Sequence, residues 1–350
     1  MNSTNDAEDD LDINQRSVKK SIKLFFNKLI WSRLTGEHQY RTLSLIQAYQ
    51  KDNITQLDYF GGPKKDVDAL AAFKNGLKVQ LHKGPSNKVL LLIHGIIGNT
   101  DAQVEAAFEK LKADQQFGAI LSYNYENLNT PIEETAAHLV TCLKDIGIKK
   151  KQLTILAHSM GGLVSRVMIE QLGGAKMVAQ LIQAGTPNGG SETSDFRKKI
   201  TGLLGLGMNG LPSLRPFVPV FSFLGRQVFH TLNQMSPSSN FIKQLNSARP
   251  FDSKNIDYKL VAGNTNLIEA PIDPDDPFWA KVKKGLQHKG LYLFMDYLVF
   301  DVDNNDLAVK VTSMETLPDP DVEVKAVACD HLSYFHNEES LQVLARFLAN

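Results

Sequence analysis

Residues 153–164 read Leu153-Thr154-Ile155-Leu156-Ala157-His158-Ser159-Met160-Gly161-Gly162-Leu163-Val164. The stretch starts as a run of β-formers behind three lysines, Lys149 to Lys151. Such a run reads as a buried strand. It ends in an apolar pattern, Leu163, Val164, Met168 and Ile169, that suits a helix. Between the two lies a small-x-Ser-x-Gly turn, with Ala157 at the position that usually holds a first glycine. A strand that turns this sharply into a helix needs small residues around the serine. The serine side chain then projects from the tip of the sheet. The helix behind it aims backbone N–H groups and a partial positive charge at the same point. Ser159 is therefore the candidate nucleophile; the alternative is an ordinary tight turn.

Outward from this turn, strands and helices alternate. Residues 88–93, 119–123, 153–156, 177–184, 258–262 and 322–328 read as strands. Residues 102–112, 131–144, 161–171 and 338–348 read as helices. The strand at 88–93 is almost wholly apolar, as expected in the middle of a parallel sheet. Thr130 is the expected N-cap of the helix that begins at Pro131, and Glu133 and Glu134 suit its dipole. Tandem units of this kind predict an α/β protein with a doubly wound, mostly parallel sheet, and ligand chemistry at the carboxyl ends of its strands.

Two regions break the rhythm. Residues 191–254 are rich in Gly, Pro and large apolar side chains, too long and too apolar for a plain loop. They read as an inserted helical cap or lid. Residues 277–299 read as helical and are a candidate addition to it, within 265–299. Before the regular part, residues 1–15 are polar and acidic and read as a disordered tail. Residues 16–76 read as a helical extension, with residues 42–49 as a short helix. Residues 77–81 alternate weakly and read as an early strand, which opens a main domain spanning 77–350. Within 16–34, Val18, Ile22, Phe25, Phe26, Leu29 and Ile30 recur at helical spacing among four lysines. That face either packs on the protein body or lies on an anionic membrane surface.

Composition excludes several classes. Hydrophobic residues make up 43% of the 350-residue chain, enough for a large core that needs no staples. The formal net charge is zero, so no global field draws in nucleic acid. Two cysteines far apart, Cys142 and Cys329, imply neither a disulfide framework nor a cysteine zinc site. No run of about 18 apolar residues predicts a membrane span, and the acidic start is unlike a secretory signal. The expected location is cytoplasmic, with membrane association through 16–34 left open.

A serine hydroxyl needs a base to take its proton and an acid to orient that base. In elbow enzymes the order along the chain is Ser, then Asp or Glu, then His. The loop Asp301-Val302-Asp303-Asn304-Asn305-Asp306-Leu307 supplies acids, and Ala328-Cys329-Asp330-His331 places a histidine directly after the last strand. His336 is the fallback base. The oxyanion hole needs two preorganised donors. Met160 N–H follows the nucleophile, and Ile96 N–H lies in the glycine-bearing loop His94-Gly95-Ile96-Ile97-Gly98-Asn99. No cofactor is expected. The aspartates around 301–306 could hold Ca²⁺, but such clusters are more often solvated turns.

Three motifs together resemble the α/β-hydrolase superfamily, in its lipase and esterase branch. They are His94-Gly95-Ile96-Ile97-Gly98, Ala157-His158-Ser159-Met160-Gly161-Gly162 and Ala184-Gly185-Thr186-Pro187-Asn188-Gly189-Gly190-Ser191. Met235-Ser236-Pro237-Ser238-Ser239 is similar to a cap-end segment of that branch. Asn305-Asp306-Leu307-Ala308-Val309 resembles its acid segment, with Leu307 in place of a glycine, and His331-Leu332-Ser333-Tyr334-Phe335 resembles its histidine segment. The resemblance implies an α/β-hydrolase fold and acyl-ester hydrolysis through an acyl-serine. It implies Ser159, Asp306 (with Asp303 as the alternative acid) and His331 as catalytic residues. Ile96 and Met160 would form the oxyanion hole, and Gly95, His94, Ile97 and His158 would border the substrate. A lipid-like ester is the expected substrate. The competing classes are an acyltransferase or thioesterase with the same residues, and a non-catalytic scaffold on the fold.

Overall fold

The computed structural model describes residues 41–50, 53–62, 66–96, 99–126, 130–191, 230–247, 255–267, 304–306, 308–318 and 322–349. At its centre lies the strand Val89–Ile93, β3, every residue of which is buried. Val89, Leu91 and Ile93 enter one apolar cluster, and Leu90 and Leu92 enter another on the opposite face. A strand covered on both faces has no polar side to show, which is why its sequence is a continuous apolar run rather than an alternation.

Among the described residues, eight strands form one sheet in the order β2-β1-β4-β3-β5-β6-β7-β8. They are β1 (Arg41–Gln50), β2 (Asn53–Tyr59), β3, β4 (Ala119–Tyr125), β5 (Leu153–His158), β6 (Val178–Ala184), β7 (Asp257–Gly263) and β8 (Glu323–Val327). β3 to β8 pair in parallel, whereas β1 is antiparallel to both β2 and β4. Helices cover both faces. On one side lie α1 (Val67–Lys83), α3 (Ile132–Ile146) and α4 (Met160–Glu170); on the other lie α2 (Asp101–Glu105, continued by a π turn at Ala106–Lys110) and α8 (Glu338–Ala349). Among the described residues between β6 and β7 are two short helices, α5 (His230–Gln234) and α6 (Asn240–Ser247), and before β8 comes α7 (Val311–Met314).

The chain departs from its sequence reading near the start. Residues 42–49, expected as a short helix within a helical extension over 16–76, lie in β1. Thr42-Leu43-Ser44-Leu45 alternates with period two, but a bulge between Ile46 and Ala48 breaks that phase and hides the strand. The sheet thus already includes Arg41–Gln50, well ahead of residue 77. Residues 77–81, expected as a strand, lie in α1 instead. Leu70, Phe73, Leu77 and Leu81 recur at helical spacing against the core, and Asp66 caps the helix by accepting from Ala69 N–H. Thr130 does not cap α3. Pro131 stands at the cap with no side-chain bond, and both Thr130 N–H and its hydroxyl donate to Glu126 Oε2 at 2.8 and 2.9 Å. The acidic tail, the basic segment 16–34, most of the expected cap and the whole of 277–299 lie outside the described residues.

Candidate active site

The strand β5 ends at His158 and α4 begins at Met160, so Ser159 alone makes the turn. Its φ is 52° and ψ −126°, a left-handed backbone that a non-glycine residue adopts only where its surroundings force it. Two contacts enforce it. Ser159 N–H donates to Ala184 O at 2.8 Å, and Gly162 N–H donates to Ser159 O at 3.0 Å. Gly161 is required by close approach: a Cβ there would stand 2.5 Å from His94 O and 2.7 Å from Ile93 O. The elbow can therefore press against the end of β3 only without a side chain. Gly95 plays the matching part across the gap, since its Cβ would meet Ser159 Cβ at 2.6 Å.

Two further loops converge on this turn. His331 follows β8, and its Nε2 lies 2.9 Å from Ser159 Oγ. Its Nδ1 lies 2.7 Å from Asp306 Oδ2, on the loop beyond β7. A carboxylate can only accept, so Nδ1 carries the hydrogen, Nε2 is the acceptor, and the serine hydroxyl donates to it. The backbone repeats the link, because His331 N–H donates to Asp306 O at 2.7 Å. Asp306 Oδ1 accepts from Ala308 N–H at 3.1 Å and Val309 N–H at 2.8 Å. Ser159, His331 and Asp306 are 1%, 2% and 0% exposed, so the whole chain of bonds is screened from water. Asp303, the alternative acid, lies outside the described residues.

The neighbouring residues divide by what they touch. His94, expected beside the substrate, stacks on Tyr125 at 4.4 Å. Its Nδ1 donates to Gly95 O at 2.7 Å, and its Nε2 accepts from Tyr125 N–H at 3.2 Å. The ring thus braces the loop that carries Gly95 and the buried Ile96. Ile97, on the same loop, lies outside the described residues. His158 donates from Nε2 to His331 O at 2.9 Å, and the two rings lie 4.9 Å apart. Burial, then the nearby His331, pushes the His158 imidazole down to about 3. It is neutral near pH 7 and holds the main chain of His331 without placing a charge beside the ring. His336, the fallback base, donates its backbone N–H to Ser333 O, and burial lowers its pKa.

Two residues were not singled out in the sequence. Gln103 Nε2 bridges Ile93 O and Leu156 O, both at 3.2 Å, and so ties the end of β3 to the end of β5. A glutamine on the sheet-facing side of an amphipathic helix was the available signal. Tyr334 lies within the motif around His331, and its phenol reaches Asp306 Oδ2 at 2.9 Å.

The parallel sheet, the strand-to-helix turn at Ser159, and an acid then a histidine after the last two strands make this an α/β-hydrolase fold. A family model spans residues 64–349, from just before α1 to the end of α8. The chain belongs to DUF7379, described as a domain of unknown function. No curated protein matches this DUF7379 sequence significantly. Among solved structures it is similar to the mature lipase BlEst2 of Bacillus licheniformis, at 18% identity and a TM-score of 0.45, over 75% of this chain and 91% of that one. It is also similar to an esterase of Pyrobaculum calidifontis, at 11% identity and a TM-score of 0.43, over 95% and 90% of the two chains. A third is a hydrolase of Oleispira antarctica, at 13% identity and a TM-score of 0.40, over 76% and 93%. Among the described residues, no group of three or more His, Cys, Asp or Glu could hold a metal ion, and no helix is long and apolar enough to cross a membrane.

Proposed function

We propose that this protein hydrolyses a carboxylic ester through a covalent acyl-Ser159 intermediate. The observation that carries the reading is the unbroken hydrogen-bonded chain from Ser159 Oγ through His331 to Asp306. As Ser159 Oγ attacks the ester carbonyl, its proton passes to His331 Nε2. The resulting imidazolium is held by Asp306, whose charge is already oriented by two backbone N–H groups. Met160 N–H, at the start of α4, and Ile96 N–H stabilise the oxyanion. His331 then gives the proton to the departing alcohol. A water molecule attacks the acyl-enzyme, its proton passes to the same nitrogen, and the acid is released as Ser159 recovers its hydrogen.

The substrate in this reading is a lipid-like acyl ester. The apolar composition of 191–254 and the basic amphipathic pattern of 16–34 support it, the latter through peripheral contact with an anionic membrane. The test is labelling of the full chain with a fluorophosphonate probe, followed by rates on p-nitrophenyl esters of increasing chain length, with and without anionic vesicles. A serine adduct at residue 159 and rates that rise with chain length are expected. A folded wild-type protein that takes up no label would remove the serine reading and leave a scaffold.

A further inference from the structure

We infer that Tyr334 is a positioning residue for the Asp306–His331 pair, its phenol O–H sharing Asp306 Oδ2 with His331 Nδ1–H and so setting how strongly that carboxylate holds the imidazole. The inference rests on the proposed role of Ser159 and His331 only for its meaning; the geometry stands apart from it. Tyr334 OH lies 2.9 Å from Asp306 Oδ2, and His331 Nδ1 lies 2.7 Å from the same atom. The phenol oxygen also accepts Gly263 N–H at 2.7 Å. A hydroxyl that accepts from an amide has its single hydrogen left for the carboxylate, so the direction of donation is settled. Its oxygen also lies 3.7 Å from Met314 Sδ.

The fold has made room for this side chain. Tyr334 is fully buried. A Cβ on Gly185, at the end of β6, would stand 2.7 Å from its ring, and one on Gly263, at the end of β7, would stand 2.7 Å from its hydroxyl. Two successive strand ends thus lack side chains where the phenol passes between them to the carboxylate. A phenylalanine would fill the same slot with equal apolar area, so packing alone does not account for the hydroxyl. Burial, and then the adjacent Asp306 carboxylate, pushes the phenol well above its ordinary pKa, so it stays a donor across the working range of the enzyme.

The physical consequence has a sign. A donor on Oδ2 draws charge from the oxygen that holds His331 and weakens its grip on the imidazolium. Removing that donor strengthens the grip and raises the pH at which His331 loses its proton. Among the described residues, His158 from β5 lies against His331 and interacts with Asp306, and Cys329, on the turn of His331, interacts with Asp306; Asp330 and Glu339 from α8 act on Cys329. All of them are unchanged by a substitution at 334.

The test is NMR titration of His331 in the full-length protein with its histidine rings isotopically labelled, assigned by comparison with His331→Gln. In Tyr334→Phe the titration midpoint of His331 is expected to rise by about one pH unit. With 3-fluorotyrosine incorporated at 334, a stronger donor of nearly the same shape, it is expected to fall. On a short p-nitrophenyl ester, Tyr334→Phe should show the acidic limb of kcat/KM displaced upward by the same amount, with plateau kcat lower by about tenfold and KM within twofold. Loss of stability alone would not move the midpoint in opposite directions for the two replacements. A midpoint unchanged in both overturns the inference even if Ser159→Ala abolishes turnover. Midpoints that shift as stated while Ser159→Ala retains full turnover uphold it and remove the serine reading instead.

Discussion

Two buried polar networks sit at opposite ends of α4, and they differ in what is left unspent. At its start, Ser159, His331, Asp306 and Tyr334 form a line of bonds that begins on a hydroxyl oxygen held against a basic nitrogen. Further along, Arg166 is wholly buried and closed on itself. Its Nε and Nη2 donate to Glu170 at 2.9 and 3.2 Å, while its Nη atoms reach Asn188, Asn246 and the Leu245 carbonyl. Tyr258 OH completes the Glu170 carboxylate at 3.0 Å, and Asn246 Nδ2 returns to Asn188 O. This second network joins the elbow helix to the loop after β6 and to α6. Its charges meet static partners on every side, which is the pattern of a structural clamp. The first network places a proton between the hydroxyl oxygen of a strained turn and the His331 nitrogen. Burial of polar groups therefore does not by itself distinguish the two networks; the forced backbone at Ser159 does.

The contrast breaks first at the Ser159 end. Ser159→Ala should reduce ester turnover by roughly five to six orders of magnitude, and Asp306→Asn by roughly four, with little change in the melting temperature. Initial rates and a thermal melt on the same samples check this; an equal loss of stability would make this network structural as well. At the other end the signs exchange. Arg166→Met leaves the Glu170 carboxylate buried with fewer donors and should cost about 3–5 kcal/mol in a urea melt, with kcat per folded molecule within a few-fold of wild type. Adding Glu170→Leu removes the stranded charge and should recover most of that loss, which sharpens the assignment to a clamp.

The smallest effect concerns pH and His158. Its folded pKa, about 3, lies below the unfolded value of about 6.5. Between these two values the unfolded chain binds a proton that the folded chain does not. The stability it confers is thus complete above about pH 6.5 and declines as pH falls toward 3. His158→Gln keeps a side-chain donor for the His331 carbonyl but does not titrate. Its urea midpoint should fall less between pH 7 and pH 4.5 than that of the wild type. An equal fall would assign the acid sensitivity to other groups, such as His138 and His336, which burial also lowers.

Much of the fold could be read along the chain, and the exceptions have causes. The inner strands β3 to β7 announce themselves because double-sided burial demands apolar runs, whereas the edge strand β8 buries only Val327 fully. β1 did not, because its bulge shifts the side-chain phase midway, and its partner β4 lies about 75 residues downstream. The window 77–81 alternates by chance on a helix whose true period emerges only over four turns. In the site, Ser159 and His331 stand in recognisable local contexts, and the structure brings both together with Asp306. Tyr334 stood in a quoted motif, yet nothing in one dimension says that its hydroxyl returns to a residue 28 positions earlier.

What the sequence alone determined is the elbow: small residues on either side of a serine, a strand before it and a helix after it, all within about a dozen positions where steric demands are local. The meeting of residues 159, 306 and 331 was decided only by the tertiary structure. Parallel pairing aligns the carboxyl ends of β5, β7 and β8 at one rim, and their spacing there depends on the register of strands that pair across as many as 77 residues of chain, as Gln180 does with Asp257. Register of that kind is set by packing across the whole sheet, and no short stretch of residues contains it.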